Sequence, residues 1–287
     1  MKLLIDIGNE NVKFSLHDGQ HHLDSFSSSL IKDSSSFFQS GFADWLNLSM
    51  ESGSNNFDKI EGIYISSVSE ELSKIILDDF NREEISSLNI PILFIDKPTN
   101  KEIYGIKCAY DDYSKLGADR WLSMIAARNL TISADPKPFC VIDVGTALTI
   151  DAVDIEGQHL GGLILPGVTT SIKSLLDFTS NIDVDLQSIR GKLGELKSKN
   201  TISSDDLLGN STEDCIVNGI IISLNSSIKR ALYLLKDKLG KNYSVFITGG
   251  DSSLIFPLDD DDLEVKHFFE PNLILEGLNF LSIWHKK

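Results

Sequence analysis

Early in the chain stands the polar turn Asp6-Ile7-Gly8-Asn9-Glu10-Asn11-Val12-Lys13, set between the apolar runs Leu3-Leu4-Ile5 and Val12-Lys13-Phe14-Ser15-Leu16. Two short β-prone runs joined by a Gly-Asn turn predict a hairpin, because glycine and asparagine tolerate the positive φ that tight turns require. One hairpin alone says nothing about function, since an Asp-x-Gly sequence is equally well explained as a simple turn.

A second copy of the pattern occurs later, as Val141-Ile142-Asp143-Val144-Gly145-Thr146-Ala147-Leu148-Thr149-Ile150-Asp151. Asp143 lies 137 residues after Asp6, and Gly157-Gln158 lies 138 residues after Gly19-Gln20, so one inserted residue aligns the copies. This repetition is the sequence sign of a duplicated domain. Two such turns facing each other can offer N–H groups to a polyphosphate, with Asp6 and Asp143 placed to hold cations. Together the copies predict a nucleotide-binding cleft.

The composition is that of a folded, acidic protein. Of 287 residues, 41% are hydrophobic and 24% are charged, and the formal net charge is −16. Such a chain is a poor electrostatic partner for DNA or for an anionic membrane surface, so we expect neither nucleic acid nor membrane as a partner. The run Asp259-Asp260-Asp261-Asp262 is interpreted as a solvated loop, because four consecutive carboxylates cannot converge on one ion without strain.

Cysteine usage and hydropathy predict a cytoplasmic location. The three cysteines, Cys108, Cys140 and Cys215, show no close pair and no metal-ligand spacing, which fits a reducing compartment. Only three apolar residues stand between Met1-Lys2 and Asp6, too few for the core of a signal peptide. No run approaches the ~20 apolar residues of a membrane span.

Strands alternate with helices along the chain, which favours an α/β fold with mixed sheets. The first half predicts, in order, a third strand near 21–26, a helix with an aromatic stripe over 37–46, a buried strand at 60–68, a helix at 70–80 and a strand at 91–95. The serine-rich runs Ser27-Ser28-Ser29 and Ser34-Ser35-Ser36 interrupt the pattern and are interpreted as loop.

The stretch Tyr113-Ser114-Lys115-Leu116-Gly117-Ala118-Asp119-Arg120-Trp121 leads into an apolar helix predicted over 122–130. Asp119-Arg120 is explained either as a helix cap with an ion pair or as a carboxylate and a guanidinium on the wall of a cleft. Pro136 and Pro138 stop the helix, so the boundary between two domains is predicted at 131–138.

In the second half, the stretch His159-Leu160-Gly161-Gly162-Leu163-Ile164-Leu165-Pro166-Gly167-Val168 predicts a strand and a Pro-Gly turn that opens a helix through Leu176. The weakly patterned segment 181–210 predicts an excursion or a mobile flap. Further helices are predicted over 213–239 and 271–284.

One strand of the second half ends in two glycines, Tyr243-Ser244-Val245-Phe246-Ile247-Thr248-Gly249-Gly250-Asp251. It occupies the place that Tyr64-Ile65-Ser66-Ser67-Val68-Ser69 holds in the first half, which extends the repeat. The glycines are predicted to open a helix, where free N–H groups and the helix dipole suit an anion or a nucleotide.

These motifs together resemble the type III pantothenate kinase family of the actin/Hsp70/sugar-kinase superfamily. The matching residues span nearly the whole chain in the family's order: Asp6-x-Gly8-Asn9-x-x-x-Lys13, Gly117-Ala118-Asp119-Arg120, Asp143-x-Gly145-Thr146-Ala147-x-Thr149-x-Asp151, Gly161-Gly162-x-Ile164-x-Pro166-Gly167, Asn210-Ser211-Thr212 and Thr248-Gly249-Gly250. The resemblance implies duplicated actin-like (ribonuclease H-like) domains, each a mixed sheet flanked by helices, with the active site in the cleft between them. The expected domains are 1–133, with the phosphate loop, and 138–287, with the second hairpin and dimer-forming helices.

The resemblance also implies a reaction, namely ATP-dependent phosphorylation of the primary hydroxyl of pantothenate, the first step towards coenzyme A. The implied cofactors are ATP, Mg²⁺ and a monovalent cation, K⁺ or NH₄⁺. The implied assembly is a homodimer whose substrate pocket is completed across the interface.

Residue roles follow by the same resemblance. Asp119 is the implied general base, and the implied pantothenate contacts are Tyr110, Gly117, Ala118, Asp119, Arg120 and Thr212. The expected ATP contacts are Asp6, Ile7, Gly8, Asn9, Glu10, Asn11, Val12 and Lys13, with Thr146, Gly249 and Gly250. Asp6 is expected near Mg²⁺, and Asp143 is expected to bind the monovalent cation.

Glu10 departs from the family pattern, which usually has Thr at this position. A carboxylate held ~4 Å from a phosphate would repel it by roughly 4 kcal/mol at an effective dielectric of about 20. Glu10 must therefore point away, be protonated or bind a cation.

Two alternatives stay open. One is a Bvg accessory factor-like relative with altered or lost kinase activity and a regulatory role, and the other is a phosphatase or sugar kinase of the same superfamily. The presence of Lys13, Asp119, Arg120 and Asp143 favours the kinase.

Overall fold

The computed structural model describes residues 1–9, 11–18, 22–29, 59–80, 90–132, 136–179, 184–199, 202, 207–255 and 265–284. Some predicted features lie outside these ranges: Glu10, the Gly19-Gln20 turn, the serine run at 34–36, the aromatic stripe at 37–46 and the acidic run at 259–262. The chain divides into two compact units. The first comprises Met1–Tyr104, Tyr110–Ala126 and Asn272–Lys287, and the second comprises Gly105–Ala109 and Ala127–Pro271.

The first unit is built on a mixed sheet. Its strands are β1 (Lys2–Ile7), β2 (Asn11–His17), β3 (His22–Ser29), β4 (Gly62–Ser67) and β5 (Ile92–Ile95), in the order β3-β2-β1-β4-β5. β2 pairs antiparallel with β1 and β3, whereas β4 runs parallel to β1 and β5. The loop predicted at Ser27-Ser28-Ser29 is wrong, because these serines pair with β2 and extend β3. Pairing with a neighbouring strand here overrides weak strand propensity.

The second unit repeats this sheet. Two short strands precede this sheet in the chain, β6 (Glu102–Ile103) in the first unit and β7 (Ile106–Lys107) in the second. The sheet itself consists of β8 (Phe139–Val144), β9 (Ala147–Val153), β10 (His159–Pro166), β11 (Ser244–Thr248) and β12 (Lys266–Phe269), in the order β10-β9-β8-β11-β12. β9 pairs antiparallel with β8 and β10, whereas β11 runs parallel to β8 and β12, which is the arrangement of the first sheet. The predicted α/β class with two mixed sheets is confirmed, and β11 takes the place of β4.

Six helices occur in the described ranges: α1 (Glu70–Phe80), α2 (Ala118–Ile132), α3 (Val168–Phe178), α4 (Leu186–Lys199), α5 (Thr212–Leu239) and α6 (Leu273–Trp284). The helices predicted at 70–80, 122–130, 213–239 and 271–284 are confirmed with small shifts of their ends. No helix in the described part of the chain is long and apolar enough to cross a membrane.

Helix α4 contradicts the excursion or mobile flap predicted for 181–210. Ile189, Leu193 and Leu196 recur at helical spacing and pack on the apolar core of the second unit. Gly191 and Gly194 weaken the sequence signal, because glycine is a poor helix former. Burial of one apolar face supplies the stability that intrinsic propensity does not.

Helix α6 belongs to the first unit, although the sequence prediction assigned it to a C-terminal domain over 138–287. It packs on β1 and β4. At Gly277 it approaches helix α2 so closely that a Cβ there would lie 2.2 Å from the carbonyl oxygen of Leu122. This tertiary packing has no local signal in the sequence.

Candidate active site

The first hairpin places a carboxylate, an ammonium group and a hydroxyl in one row. Asp6 of β1 lies opposite Lys13 of β2 and beside Ser66 of β4, and paired residues on neighbouring strands share one face of a sheet. The alternate residues of β1 pack into the apolar core, so this row is on the other face. Ser66 is buried, and its Oγ has no hydrogen-bond partner among the described residues.

The turn of the first hairpin holds the other predicted ATP contacts. Ile7 and Val12 are its last paired residues, and between them the Gly8 N–H donates to the Asn11 carbonyl oxygen at 3.0 Å. Asn9 is exposed at the turn. Glu10 is outside the described residues, so the hypothesis about its carboxylate stays a prediction.

The second hairpin repeats the row with one change. Asp143 of β8 lies opposite Thr149 of β9 and beside Thr248 of β11. Four residues connect the last paired residues of the first hairpin, whereas three connect those of the second. Thr149 therefore takes the place of Lys13. Of the two rows, only the first contains an ammonium group.

Thr146, at the tip of the second hairpin, is held by the turn that follows β10. The Gly167 N–H donates to the Thr146 carbonyl oxygen at 3.1 Å, and the Thr170 Oγ1 donates to the same oxygen at 2.6 Å. A Cβ at Gly167 would lie 2.0 Å from the Gly145 carbonyl oxygen, so only glycine permits this approach. The predicted ATP contact is thus fixed by backbone packing.

Gly249 brings the end of β11 against Asp143. Its φ is +98°, and a Cβ there would lie 2.3 Å from the Val144 carbonyl oxygen and 2.5 Å from Asp143 Oδ1. The Asp251 N–H also donates to the Val144 carbonyl oxygen at 2.9 Å. The Asp143 carboxylate and the two-glycine turn therefore lie together at one end of the second sheet.

The helix predicted to start at Gly249-Gly250 is wrong. Only a three-residue 3-10 turn, Ser252–Leu254, follows the glycines. A single turn supplies no helix dipole, so any nucleotide contact here depends on local N–H groups and on the bare glycine backbone.

We expect Gly249→Ala to destabilise the folded chain by about 2–4 kcal/mol, since alanine combines a strained positive φ with a backbone clash. Gly250→Ala is the matched control, because a Cβ at Gly250 meets nothing within 4 Å. The control should change the free energy of unfolding by less than about 0.5 kcal/mol. Urea denaturation of the two variants measures the difference, and equal values would contradict this account of the turn.

Five of the six predicted pantothenate contacts, all except Thr212, lie at or near the start of helix α2. Asp119 is the second residue of the helix, and its Oδ1 accepts a hydrogen bond from the Arg120 N–H at 2.7 Å. The Arg120 side chain, 7% exposed, donates through Nη1 to the Tyr110 hydroxyl at 3.1 Å and lies 5.9 Å from the centre of its ring. Ala118 is buried, and a Cβ at Gly117 would lie 2.5 Å from Asp119 Oδ1, so a larger residue would displace the carboxylate.

The position of Asp119 suits a proton acceptor. A carboxylate in the first turn of a helix is favoured as the anion by the helix dipole, and a general base must be ionised before it accepts a proton. The bond from the Arg120 N–H fixes the direction of this carboxylate. The contact of the Arg120 guanidinium with Tyr110 is additional to the hydrogen bond between Asp119 and the Arg120 N–H.

Thr212 begins helix α5 in the second unit, away from Asp119 in the sequence. The N-cap is Ser211, whose Oγ accepts from the Asp214 N–H at 3.2 Å. Thr212 lies on the wall of an open cavity of about 640 Å³. Apolar residues of this wall include Leu148, Leu165, Leu175, Ile216 and Ile220.

Asp151, the last residue of the second repeated motif, forms a buried pair with His159. His159 Nε2 lies 2.9 Å from Asp151 Oδ1, and the Ala109 N–H donates to His159 Nδ1 at 3.4 Å. The ring proton therefore sits on Nε2 and is donated to the carboxylate. Burial, together with the charge of Asp151, raises the pKa of the Cys140 thiol. The pairing of Asp151 with His159 was not predicted from the sequence.

The cations implied by the resemblance fit these residues. Among the described residues there is no group of three or more His, Cys, Asp or Glu side chains that could hold a metal ion. Mg²⁺ in phosphoryl-transfer sites is commonly bound through one or two carboxylates, water and phosphate, and Asp6 beside the buried Ser66 hydroxyl fits that pattern. Asp143 Oδ1 and the nearby Val144 carbonyl offer the oxygen donors that a monovalent cation takes.

Two polar residues beside these sites, Ser66 and Lys197, were not predicted. Ser66 had a signal, because it stands in β4 where Thr248 stands in β11. Lys197 had none, because it lies on a helix that the sequence did not predict. Its Nζ donates to Asp251 Oδ1 at 2.8 Å and to the Gly250 carbonyl oxygen at 3.2 Å.

Comparison with known sequences finds one consistent relationship. The model of the family described as "Type III pantothenate kinase" matches residues 2–233. A protein named type III pantothenate kinase from Pseudomonas aeruginosa (strain LESB58) is 31% identical over 188 residues, which cover 66% of this chain and 68% of that protein. Another of the same name from Pseudoalteromonas atlantica (strain T6c) is 34% identical over 194 residues, covering 67% and 68%.

Comparison with solved structures supports the fold alone. The activator of the 2-hydroxyisocaproyl-CoA dehydratase from Clostridium difficile, solved with bound ADPNP, aligns with a TM-score of 0.50 at 13% identity. The alignment covers 99% of this chain and 94% of that one.

Proposed function

Because the chain belongs to the type III pantothenate kinase family, a family of phosphotransferases, we propose that it transfers a phosphoryl group from ATP to the primary hydroxyl of pantothenate. The product, 4′-phosphopantothenate, enters coenzyme A synthesis. The observation that carries the proposal is the cluster at the start of α2, where Asp119 offers a carboxylate base and Arg120, hydrogen-bonded to Tyr110, offers an anion-binding guanidinium.

Asp119 is the proposed general base. In phosphoryl transfer the attacking hydroxyl loses its proton late, as the new O–P bond forms, so an ordinary carboxylate suffices as acceptor. The hydrogen bond from the Arg120 N–H to Oδ1 gives the carboxylate a defined orientation. Orientation of this kind is where most of the acceleration in phosphoryl transfer arises.

Arg120 is the proposed anchor of the pantothenate carboxylate. A guanidinium binds a carboxylate with two parallel hydrogen bonds, and its burial excludes competing water. The Tyr110 hydroxyl accepts from Nη1 and so fixes the plane of the fork. Thr212 is the proposed second contact to pantothenate, with Gly117 and Ala118 forming the backbone beneath the substrate.

The two hairpins are the proposed ATP-binding elements. Lys13 would bind a phosphate oxygen, with the N–H groups of the Gly8 turn beside it, and Thr146, Gly249 and Gly250 would contact the nucleotide from the second hairpin. Asp6 would hold Mg²⁺ and Asp143 would hold K⁺ or NH₄⁺. These ions would neutralise the charge that develops on the phosphates.

A homodimer is the proposed assembly. β10 is the outermost strand of the described second sheet, and Leu163 and Ile164 on it are 51% and 64% exposed. Exposed apolar residues on an edge strand mark a surface suited to an interaction with another chain. Light scattering of the purified protein should give about twice the 31.8 kDa mass of one chain, and a monomeric mass at micromolar concentration would contradict the assembly.

The test of the reaction is pantothenate-dependent formation of ADP. We expect turnover with ATP and Mg²⁺, faster in K⁺ or NH₄⁺ than in Na⁺. Acetate, N-acetylmannosamine and water as acceptors separate the alternatives, because a sugar kinase or a phosphatase would turn over without pantothenate. No turnover in any of these salts would favour a Bvg accessory factor-like relative without kinase activity.

A further inference from the structure

Helix α4 carries two lysines that contact the two predicted substrate-binding turns of the second unit. We infer that Lys192 and Lys197 are positioning residues, with Lys197 holding the Gly249–Asp251 turn for ATP and Lys192 holding the start of helix α5 for pantothenate. The inference rests on the proposed function for the identity of the substrates. The contacts themselves do not depend on it.

Lys197 is bonded to the glycine turn at two points. Its Nζ donates to Asp251 Oδ1 at 2.8 Å and to the Gly250 carbonyl oxygen at 3.2 Å. Asp251 in turn donates its N–H to the Val144 carbonyl oxygen at 2.9 Å, and Gly249 lies against Asp143 Oδ1. One ammonium group thus fixes the turn that adjoins the proposed cation ligand.

Lys197 also balances a charge. Asp251 directly follows the two glycines, so its carboxylate lies near the backbone proposed to contact a polyphosphate. An uncompensated carboxylate there would repel the nucleotide. The Lys197 ammonium lies 2.8 Å from Asp251 Oδ1 and offsets that repulsion.

Lys192 is bonded to the start of helix α5. Its Nζ hydrogen bonds to Asp214 Oδ1, and the Ser211 Oγ donates to Asp214 Oδ2 at 2.8 Å. Ser211 is the N-cap residue, and Thr212 is the next residue. The hydrogen bond from Lys192, followed by that from Ser211, lowers the pKa of the Asp214 carboxyl.

The positions of the two lysines follow from the packing of one face of α4 on the core of the second unit. Ile189 is buried, and Leu193 and Leu196 pack beside it on the core of the second unit. The two lysines flank this apolar stripe, five residues apart along the helix. A helix anchored along one face presents both ammonium groups at fixed positions, so the two turns are held relative to one rigid element.

The experiment compares Lys192→Met and Lys197→Met with Lys229→Met, an exposed lysine on α5 that serves as matched control. Amide hydrogen exchange is measured over 211–216 and 249–255, and KM is measured for each substrate. We expect Lys197→Met to accelerate exchange at 249–255 alone and to raise the KM for ATP at least about five-fold. Lys192→Met should accelerate exchange at 211–216 alone and raise the KM for pantothenate by a similar factor.

Two further variants separate positioning from a general loss of stability. Lys197→Arg should retain the wild-type KM for ATP, because it keeps the charge and the donors. The double variant Asp251→Asn/Lys197→Met should have the same KM for ATP as Lys197→Met alone, because the two substitutions disrupt the same contact. Exchange unchanged at both segments, or an equal rise of both KM values in either lysine variant, would overturn the inference. If the wild type lacks pantothenate kinase activity, the proposed function fails, while the exchange data still decide the role of the lysines.

Discussion

Replacement of Asp119 by Asn is expected to lower kcat by about 10²- to 10⁴-fold, the usual contribution of a positioned general base. The amide keeps the size of the side chain and an oxygen that can accept from the Arg120 N–H, so the start of helix α2 should stay intact. The affinity for ATP, measured by calorimetry with a non-hydrolysable analogue, should change less than about three-fold, because a base acts on the transition state more than on nucleotide binding. Steady-state kinetics with pantothenate give the kcat ratio.

Asp112→Asn is the matched control for this variant. Asp112 is an exposed carboxylate seven residues before Asp119, and its Oδ1 accepts hydrogen bonds from the Ser114 N–H and hydroxyl. These bonds, led by that from the hydroxyl, lower the pKa of the Asp112 carboxyl. An asparagine keeps the acceptor, so kcat should stay near that of the wild type. Equal kcat values for wild type and Asp119→Asn would exclude Asp119 as the base.

Replacement of Arg120 by Met is expected to raise the KM for pantothenate by about 10- to 150-fold, which corresponds to the loss of one charge-assisted contact worth about 1.5–3 kcal/mol. Methionine has a similar volume and is apolar, so it fills the buried site without leaving a charge there. The KM for ATP should change little. The measurement is a pair of saturation curves, one for each substrate.

Tyr110→Phe refines the test of Arg120. It removes the hydroxyl that accepts from Nη1 at 3.1 Å while it keeps the ring beside the guanidinium. The expected rise in the KM for pantothenate is about two- to ten-fold, because a single neutral partner of the fork is lost. Thermal unfolding of each variant separates loss of binding from loss of fold. A stable Arg120→Met protein with an unchanged KM for pantothenate would contradict the proposed anchor.

The repeated hairpins were the most predictable part of the fold. Strand periodicity and a glycine turn are local signals, and both occur twice in this chain. Asp6 and Asp143 were therefore expected at equivalent positions, and the structure places them there. Their neighbours across the strands, Lys13 and Thr149, follow from the same register. The difference in turn length was not predicted, because the alignment of the two copies placed one extra residue in the second copy, whereas the second turn is one residue shorter.

Features that depend on tertiary contacts were not predictable from the sequence. Helix α4 has two glycines and a polar composition, and it is stabilised by three apolar residues that pack on the core of the second unit. Helix α6 packs on the first sheet, and its Gly277 contacts helix α2. No local sequence pattern encodes either contact. The Gly249-Gly250 turn was assigned to a helix start because strand-to-glycine sequences often open helices, whereas here only a 3-10 turn follows.

The candidate site was predictable in part for a related reason. Tyr110 and Arg120 are ten residues apart and separated by a 3-10 turn, so only the resemblance to a family joined them before the structure brought them to 3.1 Å. Lys197 contacts Asp251 across 54 positions of sequence and had no motif to mark it. Contacts of that range arise from packing, and packing is what a single sequence encodes least directly.

The most direct test of the central claim is identification of the product. The purified wild-type protein is incubated with ATP, Mg²⁺, K⁺ and pantothenate, with Asp119→Asn as the negative control, and the mixture is followed by phosphorus NMR and mass spectrometry. The account predicts ADP and an equal amount of a phosphate monoester on the primary hydroxyl of pantothenate, formed by the wild type and nearly absent with the variant. ATP that stays intact, or ADP formed at the same rate without pantothenate, would contradict it.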